Sequence, residues 1–406
     1  MSAGNTWRRV EESLADYCSA VGLEGKPGLN RALRELVEGI VWESSIQLTN
    51  AARRFCRDAG ALHAAGKRMS QHLADKRVDH HPWLQQLWAY QGRFVKEHDP
   101  ILIDATELAK PYARHMEYQC TVRDASGKAK AGGHDQPLVP GYWVLGAYHW
   151  QEAGRILAPL LLVPYSQTMP GFKSENDCWQ KAFYDLARAT QGRGVWVIDR
   201  GGDRPEVFKP LLLCQQRWIV RLREDRPLIG PDGTIRSAGQ WADEALLTRP
   251  ERGRAVTLPV KLPLAKDRMS ETLHLVVTTY RFGKKQERWV LLTRGLIGHQ
   301  VGPRQVRRMY ARRWRAEDAK RFFGQLWHVE RFLTRSYVAL ERMLGCVTAA
   351  GGFLADLQRG NPDLAQALQQ EVTYLDTQEK VPCYRMARGI QVLALRQFPS
   401  SVLQNA

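Results

Sequence analysis

The 406-residue sequence exceeds the usual size of one hydrophobic core, and its 59 Lys and Arg residues against 42 Asp and Glu residues give a formal net charge of +17. With 44% hydrophobic and 25% charged residues, the composition excludes a disordered basic tail, so folded surfaces must carry the charge, and they indicate a polyanionic partner. The longest apolar runs, such as residues 157–163, are too short to cross a bilayer, and residues 1–9 lack a signal-peptide core, so we expect a cytoplasmic protein.

The first segment, residues 1–98, has apolar residues at three- and four-residue spacing and is predicted to be an all-helical domain, with helices over 7–21, 26–42, 46–56, 62–73 and 83–98. A short turn containing Gly60 separates the third and fourth of these helices, which is the pattern of a helix-turn-helix. The basic residues Arg53, Arg54, Lys67 and Arg68 are its candidate DNA contacts. A helical bundle that does not touch DNA stays open as an alternative.

The histidines and cysteines give little indication of a metal site. His80 and His81 are adjacent, but no Cys or His partner stands at metal-ligand spacing, so we interpret them as a helix-end pair rather than a zinc site. The seven cysteines are scattered without a C-x-x-C pair, which predicts reduced structural thiols.

The second segment, residues 99–222, changes to short apolar runs ended by turn residues. Its predicted order is a strand at 101–103, strands at 142–150 and 156–165, a helix at 175–189, a strand at 195–198, a helix at 206–214 and a strand at 218–222. This order predicts an α/β fold with an RNase H-like mixed-sheet core, completed by residues 296–335.

Two further segments complete the predicted organisation. Residues 223–295 are rich in Gly, Pro and Thr, and runs at 255–262, 273–280 and 289–293 predict an inserted β subdomain. Residues 336–406 predict a helical C-terminal region, broken at Gly351 and Gly352.

A cationic helix predicted over residues 303–327 holds the largest concentration of positive charge, with ten basic side chains against three acidic ones between residues 301 and 335. Tyr310, Arg313, Glu317 and Arg321 stand at offsets of 0, 3, 7 and 11, so on one continuous α-helix they share a face. Taken alone, the pattern is more typical of a solvated surface helix.

Two upstream aspartates change this interpretation. Asp104 and Asp199 each follow a strand-like apolar run, and a carboxylate at a strand end is held rigidly at the rim of a sheet. Either one alone could simply start a loop. Together with Glu317 they form a set of three carboxylates suited to two Mg²⁺ or Mn²⁺ ions, because hard cations prefer oxygen ligands. We therefore expect the three to converge in the folded chain.

The sequence resembles the DDE transposases of bacterial insertion sequences, in the subgroup with the signature Y-x2-R-x3-E-x6-K. Residues 101–106, 197–203 and 310–321 carry the three acids, and residues 288–293 resemble the tryptophan-bearing strand of that family. The resemblance implies that Asp104, Asp199 and Glu317 are the catalytic metal ligands. It also implies that Tyr310 and Arg313 contact phosphates at the cleavage point and that Trp289 stacks on a flipped base, although Trp289 is equally compatible with a buried strand position.

The sequence departs from the family signature in one place. Gly324 stands where the signature has lysine, so we expect Arg321, on the Tyr310 face, or else Lys320, to provide that contact. Arg200, within the second block, is a further predicted DNA contact.

The resemblance implies a cut-and-paste transposase that cleaves transposon ends, passes through a hairpin intermediate and joins the 3′-OH to target DNA. Its expected partners are double-stranded DNA, as terminal inverted repeats and target, and a second copy of the chain in the synaptic complex. The expected location is the bacterial cytoplasm, associated with the nucleoid. Two alternatives stay open: a domesticated, inactive relative that binds DNA as a regulator, and an RNase H-like nuclease that hydrolyses DNA without strand transfer.

Overall fold

The computed structural model describes residues 3–24, 28–56, 58–113, 115–124, 137–247, 255–265, 268–282, 285–298, 301–372 and 382–397. They form two compact units. The first unit combines Met1–Phe94, Ala105–Glu175 and Glu317–Ala406, and the second combines Val95–Asp104 and Asn176–Ala316. The predicted N-terminal segment 1–98 and C-terminal segment 336–406 therefore fall almost wholly in one unit, whereas the predicted four-part domain division stays a prediction.

The secondary structure is mixed α/β. The helices are α1 Ala3–Ala20, α2 Leu29–Glu43, α3 Leu48–Ala52, α4 Ala59–Ala74, α5 His81–Gly92, α6 Glu175–Thr190, α7 Pro205–Leu213, α8 Ala238–Leu247, α9 Pro303–Ala311, α10 Arg315–Gln325, α11 Tyr337–Gly360, α12 Pro362–Gln370 and α13 Pro382–Gln397. The strands are β1 Pro100–Ala109, β2 Cys120–Arg123, β3 Leu138–Gln151, β4 Ile156–Tyr165, β5 Val195–Ile198, β6 Arg217–Arg221, β7 Pro227–Ile229, β8 Ile235–Ser237, β9 Val256–Val260, β10 Pro263–Ala265, β11 Arg268–Met269, β12 Leu273–Phe282 and β13 Lys285–Arg294. From β1 to β6, the strands and helices follow the predicted order, with β2 as an unpredicted addition.

The N-terminal helices of the first unit agree with the prediction except at the third and at the end of the fifth, which stops at Gly92 and not at residue 98. The predicted helix over 46–56 consists of the five-residue α3 and a 3₁₀ turn at Arg53–Phe55. α4 then begins at Ala59, where the Asp58 side chain caps it by accepting a hydrogen bond from the Ala61 N–H at 2.7 Å. All seven cysteines lie in the described residues, and none of them forms a disulfide.

A long antiparallel hairpin provides the sheet of the first unit. β3 pairs with β4 from Trp143↔Tyr165 to Gln151↔Ile156 around a 3₁₀ turn at Ala153–Arg155, as the predicted strand pair requires. β2 pairs with the start of β3, and β1, whose second half lies in this unit, is the other neighbour of β3.

The central helix of the first unit is α11, which runs unbroken through the two glycines that were predicted to interrupt it. A Cβ on Gly351 would lie 2.8 Å from the Pro159 ring, and one on Gly352 would lie 1.9 Å from Gln91 Nε2. The glycines therefore permit close packing and do not end the helix. Among the described helices, α11 is the one whose length and composition could span a membrane, but 89% of its most apolar window is buried inside the protein.

The sheet of the second unit has the strand order β1-β5-β6-β13-β12-β9. β1, β5 and β6 are parallel to each other, and β13, β12 and β9 continue the sheet in antiparallel pairing. α6 packs on β5 through Phe183 and Trp196, whose ring centroids are 5.2 Å apart. The predicted strands over 255–262, 273–280 and 289–293 are present, but they extend this sheet and do not form a sheet of their own, because β13 pairs directly with β6.

Candidate active site

Two of the predicted acids lie side by side at the edge of the second unit's sheet. β1 pairs with β5 from Pro100↔Val195 to Ile103↔Ile198, so Asp104 and Asp199 are the next residues in register on adjacent parallel strands. Adjacent strands are about 4.8 Å apart, which brings both carboxylates to one small area. β1 itself continues to Ala109, so Asp104 marks the end of the β5 pairing and not, as predicted, the end of its strand.

The third parallel strand adds a residue that the sequence interpretation missed. β5 pairs with β6 up to Ile198↔Val220, which places Arg221 at the same level as Asp199. The guanidinium of Arg221 forms an ion pair with Glu287 and lowers the pKa of that carboxyl. In the sequence, Arg221 is recognisable only as a basic residue at the end of an apolar run. The strand register is needed to show that it lies beside Asp199.

Arg313 and Tyr310 are in contact with this row of residues. Arg313 Nη1 lies 3.7 Å from Asp104 Oδ2, and both side chains are largely buried, at 12% and 13% exposed. Burial raises the pKa of the Tyr310 phenol, and the positive charges of Arg313 and Arg221 partly offset the shift. The predicted neighbourhood of Tyr310, Arg313 and the two aspartates is therefore present within the second unit.

The side chain of Asp199 is oriented by the turn that follows it. Its Oδ1 accepts a hydrogen bond from the Gly201 N–H at 2.8 Å and caps the 3₁₀ turn Arg200–Gly202. Arg200, a predicted DNA contact, is exposed in this turn. The charge pattern that results is a pair of carboxylates with arginine side chains around it.

The predicted base-stacking role of Trp289 disagrees with its position. Trp289 is 1% exposed, its ring lies edge-on to Tyr310 with centroids 4.8 Å apart, and its Nε1 donates to Glu287 Oε2 at 3.3 Å. A ring enclosed on both faces cannot stack on a base, so Trp289 is a core residue that supports Tyr310. Trp289 is buried because its side chain lies on the face of β13 that packs against the hydrophobic core.

The helix predicted to be continuous from 303 to 327 is divided. α9 ends at Ala311, a 3₁₀ turn covers Arg312–Trp314, and α10 begins at Arg315. A 3₁₀ helix advances about 120° per residue against 100° in an α-helix, so the three residues rotate the following helix by about 60°. The single face predicted for residues 310 to 321 is therefore displaced after Arg313.

The third predicted acid, Glu317, lies in the first turn of α10, in the first unit, with its side chain 42% exposed. Lys320 Nζ lies 3.7 Å from Glu317 Oε1 and donates to the Ala105 carbonyl at 3.3 Å. Arg321 is 64% exposed and lies 3.9 Å from Asp318. These contacts favour Lys320 over the predicted Arg321 as the basic neighbour of Glu317, because Lys320 pairs with Glu317 whereas Arg321 lies beside Asp318 and is exposed. Convergence of all three acids stays a prediction.

The predicted DNA contacts of the N-terminal helices divide into two groups. Arg54 forms an ion pair with Glu11 and lies over the rings of Trp7 and Trp42, and Arg68 forms two hydrogen bonds to Glu35 at 2.9 and 2.7 Å. These two arginines hold helices together. Arg53 and Lys67 are exposed, which suits contact with a polyanion.

No protein-family model matches the sequence, and no match to a curated protein is found. Among solved structures, the chain is similar to a piggyBac transposase synaptic complex with hairpin DNA, at 9% sequence identity and a TM-score of 0.45, covering 98% of this chain and 82% of the other. A similarity at this identity and TM-score assigns neither a family nor an activity to this chain.

Proposed function

We propose that the protein is a DNA transposase that cleaves transposon ends and joins them to target DNA in a metal-dependent reaction, on an RNase H-like core. The observation that carries the proposal is the placement of Asp104 and Asp199 at one level of two adjacent parallel strands, with Arg313 against Asp104. The net charge of +17 supports DNA as the substrate.

The donor set fits a hard divalent cation. Asp104 and Asp199 offer carboxylate oxygens from a rigid sheet edge, and we assign Glu317 as the third ligand. Mg²⁺ or Mn²⁺, as a pair of ions, would activate the attacking oxygen and stabilise the leaving oxygen of an in-line displacement at phosphorus.

The surrounding side chains would position the DNA. The planar guanidinium of Arg313 suits a phosphate next to the scissile bond, and Arg221 extends the basic row along the sheet edge. Buried Tyr310 lies next to both arginines and would help to hold them in place. Lys320, beside Glu317, takes the place of the lysine that the family signature has at Gly324.

The test is cleavage of DNA carrying the element's ends in Mg²⁺ by the wild type and by Asp104→Asn, Asp199→Asn and Glu317→Gln. Each variant removes a metal-binding charge at nearly constant size, so we expect cleavage to fall at least about a thousandfold while end binding stays. Asp318→Asn, the neighbour of Glu317 on α10, is the matched control and should keep full cleavage. Equal activity of Glu317→Gln and wild type would remove Glu317 from the site.

The same assay separates the proposal from its alternatives. A wild type that binds ends tightly and never cuts them is an inactive regulator, and one that cuts without joining 3′-OH ends to target DNA is a nuclease. We further propose a hairpin intermediate and a synaptic complex of two copies. Denaturing gels of the cleaved ends test the former, and the mass of the protein–DNA complex tests the latter.

A further inference from the structure

A cluster of imidazole and carboxylate groups lies in the first unit, at the start of α5. The ligand atoms of Asp79, His80 and His81 all lie within 4.8 Å of one another. His80 Nε2 lies 3.5 Å from Glu341 Oε2 on α11, and His81 Nδ1 lies 3.0 Å from Asp79 Oδ1. The sequence interpretation of His80 and His81 as a simple helix-end pair could not include Glu341, which is 260 positions away.

One of these groups, His80, is buried, at 4% exposed, and its Nε2 makes no hydrogen bond to any residue that the structure describes. A buried nitrogen without a hydrogen bond is costly, and an ion between His80 Nε2 and the 22% exposed Glu341 carboxylate would provide its missing partner.

The charges around the cluster are compatible with a cation. The carboxylates of Asp75, Asp79 and Glu341 lie near Arg342, and Arg77 lies beside Asp75, so the carboxylates outnumber the arginines by three to two. Arg77 is paired with Asp75 at 2.8 Å.

Arg342 points its guanidinium toward backbone oxygens. It donates to the carbonyls of His72, Leu73 and Val78, and so holds the chain that leads into Asp79. Its charge lies near the cluster, but its hydrogen bonds go to the backbone and leave the carboxylates of Asp79 and Glu341 to other partners.

We propose that Asp79, His80, His81 and Glu341 bind a transition-metal dication of the zinc class. Two neutral imidazoles with two carboxylates are a ligand set that Zn²⁺ accepts and Mg²⁺ disfavours, so this site is chemically distinct from the Asp104 and Asp199 pair. The bound ion connects the start of α5 to the first turns of α11 and stabilises the first unit, because the ligand set exists only in the folded chain.

The test uses the full-length protein, stripped with a chelator and kept in excess Mg²⁺ so that the hard carboxylate sites are occupied. Zn²⁺ is titrated by calorimetry, Co²⁺ by its visible absorption, and thermal unfolding is followed with and without Zn²⁺. We expect binding of about one equivalent, a Co²⁺ spectrum typical of four-coordinate nitrogen and oxygen ligation, and a higher unfolding midpoint with Zn²⁺.

The decisive variants are His81→Gln and Asp79→Asn, because both side chains are exposed and their replacement leaves the core intact. Each should weaken Zn²⁺ binding at least about tenfold and remove the thermal shift. His63→Gln, at an exposed histidine of α4, is the control and should bind like the wild type. Zn²⁺ binding of equal affinity and stoichiometry in wild type, His81→Gln and Asp79→Asn would overturn the proposal, as would a wild type that binds no Zn²⁺.

Discussion

Individual arginines near the proposed site have very different surroundings. Arg313 is held against Asp104 and largely buried, whereas Arg321, eight residues later, is exposed beside Asp318. Both are basic residues of the same cationic segment, so residue type alone cannot rank them. Their contacts predict that, of these two arginines, Arg313 has a role in the reaction and Arg321 has none.

This difference gives a paired prediction. Arg313→Ala should lower Mg²⁺-dependent cleavage about a hundredfold, because a fixed donor to the reacting phosphate is lost, while end binding changes only slightly. Arg321→Ala should stay within about twofold of wild type, since an exposed ion pair contributes little. Single-turnover cleavage and gel-shift binding measure the two effects. Equal losses of cleavage in both variants would contradict the assignment.

Lys110 is a buried lysine whose ammonium group is satisfied by backbone carbonyls. Its Nζ donates to the carbonyls of Glu330 and Phe332 at 2.7 and 2.5 Å and lies 4.0 Å from the centre of the Phe332 ring. Burial lowers the pKa of Lys110 from 10.5 to about 8, against the opposing charge of Glu330.

The lowered pKa predicts how the stability depends on pH. Between pH 8 and 10.5 the unfolded chain binds more protons at Lys110 than the folded chain, so the contribution of Lys110 to the free energy of unfolding increases with pH and is lost as pH falls through 8. The stability difference between wild type and Lys110→Met should change by about 3 kcal/mol across this window. Urea unfolding of both proteins at several pH values measures it, and a constant difference would contradict the cause given.

At the scale of elements, α11 shows that a glycine pair can mark a packing site inside a helix. Gln91 Nε2 donates to the Tyr17 hydroxyl at 2.5 Å, and this pair lies where a side chain of residue 352 would be. Neighbouring segments of the protein can therefore pack directly against the α11 backbone. This close packing explains why the interior of a 24-residue helix contains two consecutive glycines.

We predict that Gly352→Ala destabilises the protein by about 1 to 3 kcal/mol, because the added methyl group overlaps Gln91 and Tyr17. Gly324→Ala in α10 is the matched control: its Cβ would meet nothing within 4 Å, so it should be neutral or stabilise by about 0.5 to 1 kcal/mol through the better helix propensity of alanine. Chemical unfolding measures the free energy of unfolding of both variants. A Gly352→Ala protein as stable as wild type would refute the packing role.

At the scale of the whole molecule, the excess of positive charge should control the affinity for DNA. Each phosphate neutralised by a Lys or Arg side chain contributes a slope of about −0.9 in log K against log salt concentration. Exposed Lys67 and Arg53 are suited to such contacts, whereas Arg68 is held by Glu35.

We therefore predict that Lys67→Ala and Arg53→Ala each reduce the salt slope of end binding by about one and leave thermal stability unchanged. Arg68→Ala should instead lower the thermal stability and leave the slope unchanged, because it removes an internal ion pair. Gel-shift titrations over a salt series, with thermal unfolding of the same proteins, separate the two effects. A smaller slope for Arg68→Ala at wild-type stability would place it on the DNA-binding surface instead.

Local sequence patterns were sufficient to predict the order of elements from β1 to β6, the two aspartates that follow the apolar runs of β1 and β5, and the cationic segment around Arg313. These features depend on local periodicity, on turn residues and on charge. All three are present in a short stretch of sequence, whatever other segments it later contacts. The predicted strands of residues 223–295 were recognisable for the same reason, although their place in the sheet was not.

The tertiary structure alone decided which residues become neighbours. Strand register placed Arg221 level with Asp199, and enclosure of the sheet buried Trp289. A 3₁₀ turn divided the helix predicted over residues 303–327, and helix packing set Glu341 against His80. Each outcome depends on pairing or packing between segments distant in the chain, or on a small change of helical rotation, and the local pattern of a sequence contains none of that information.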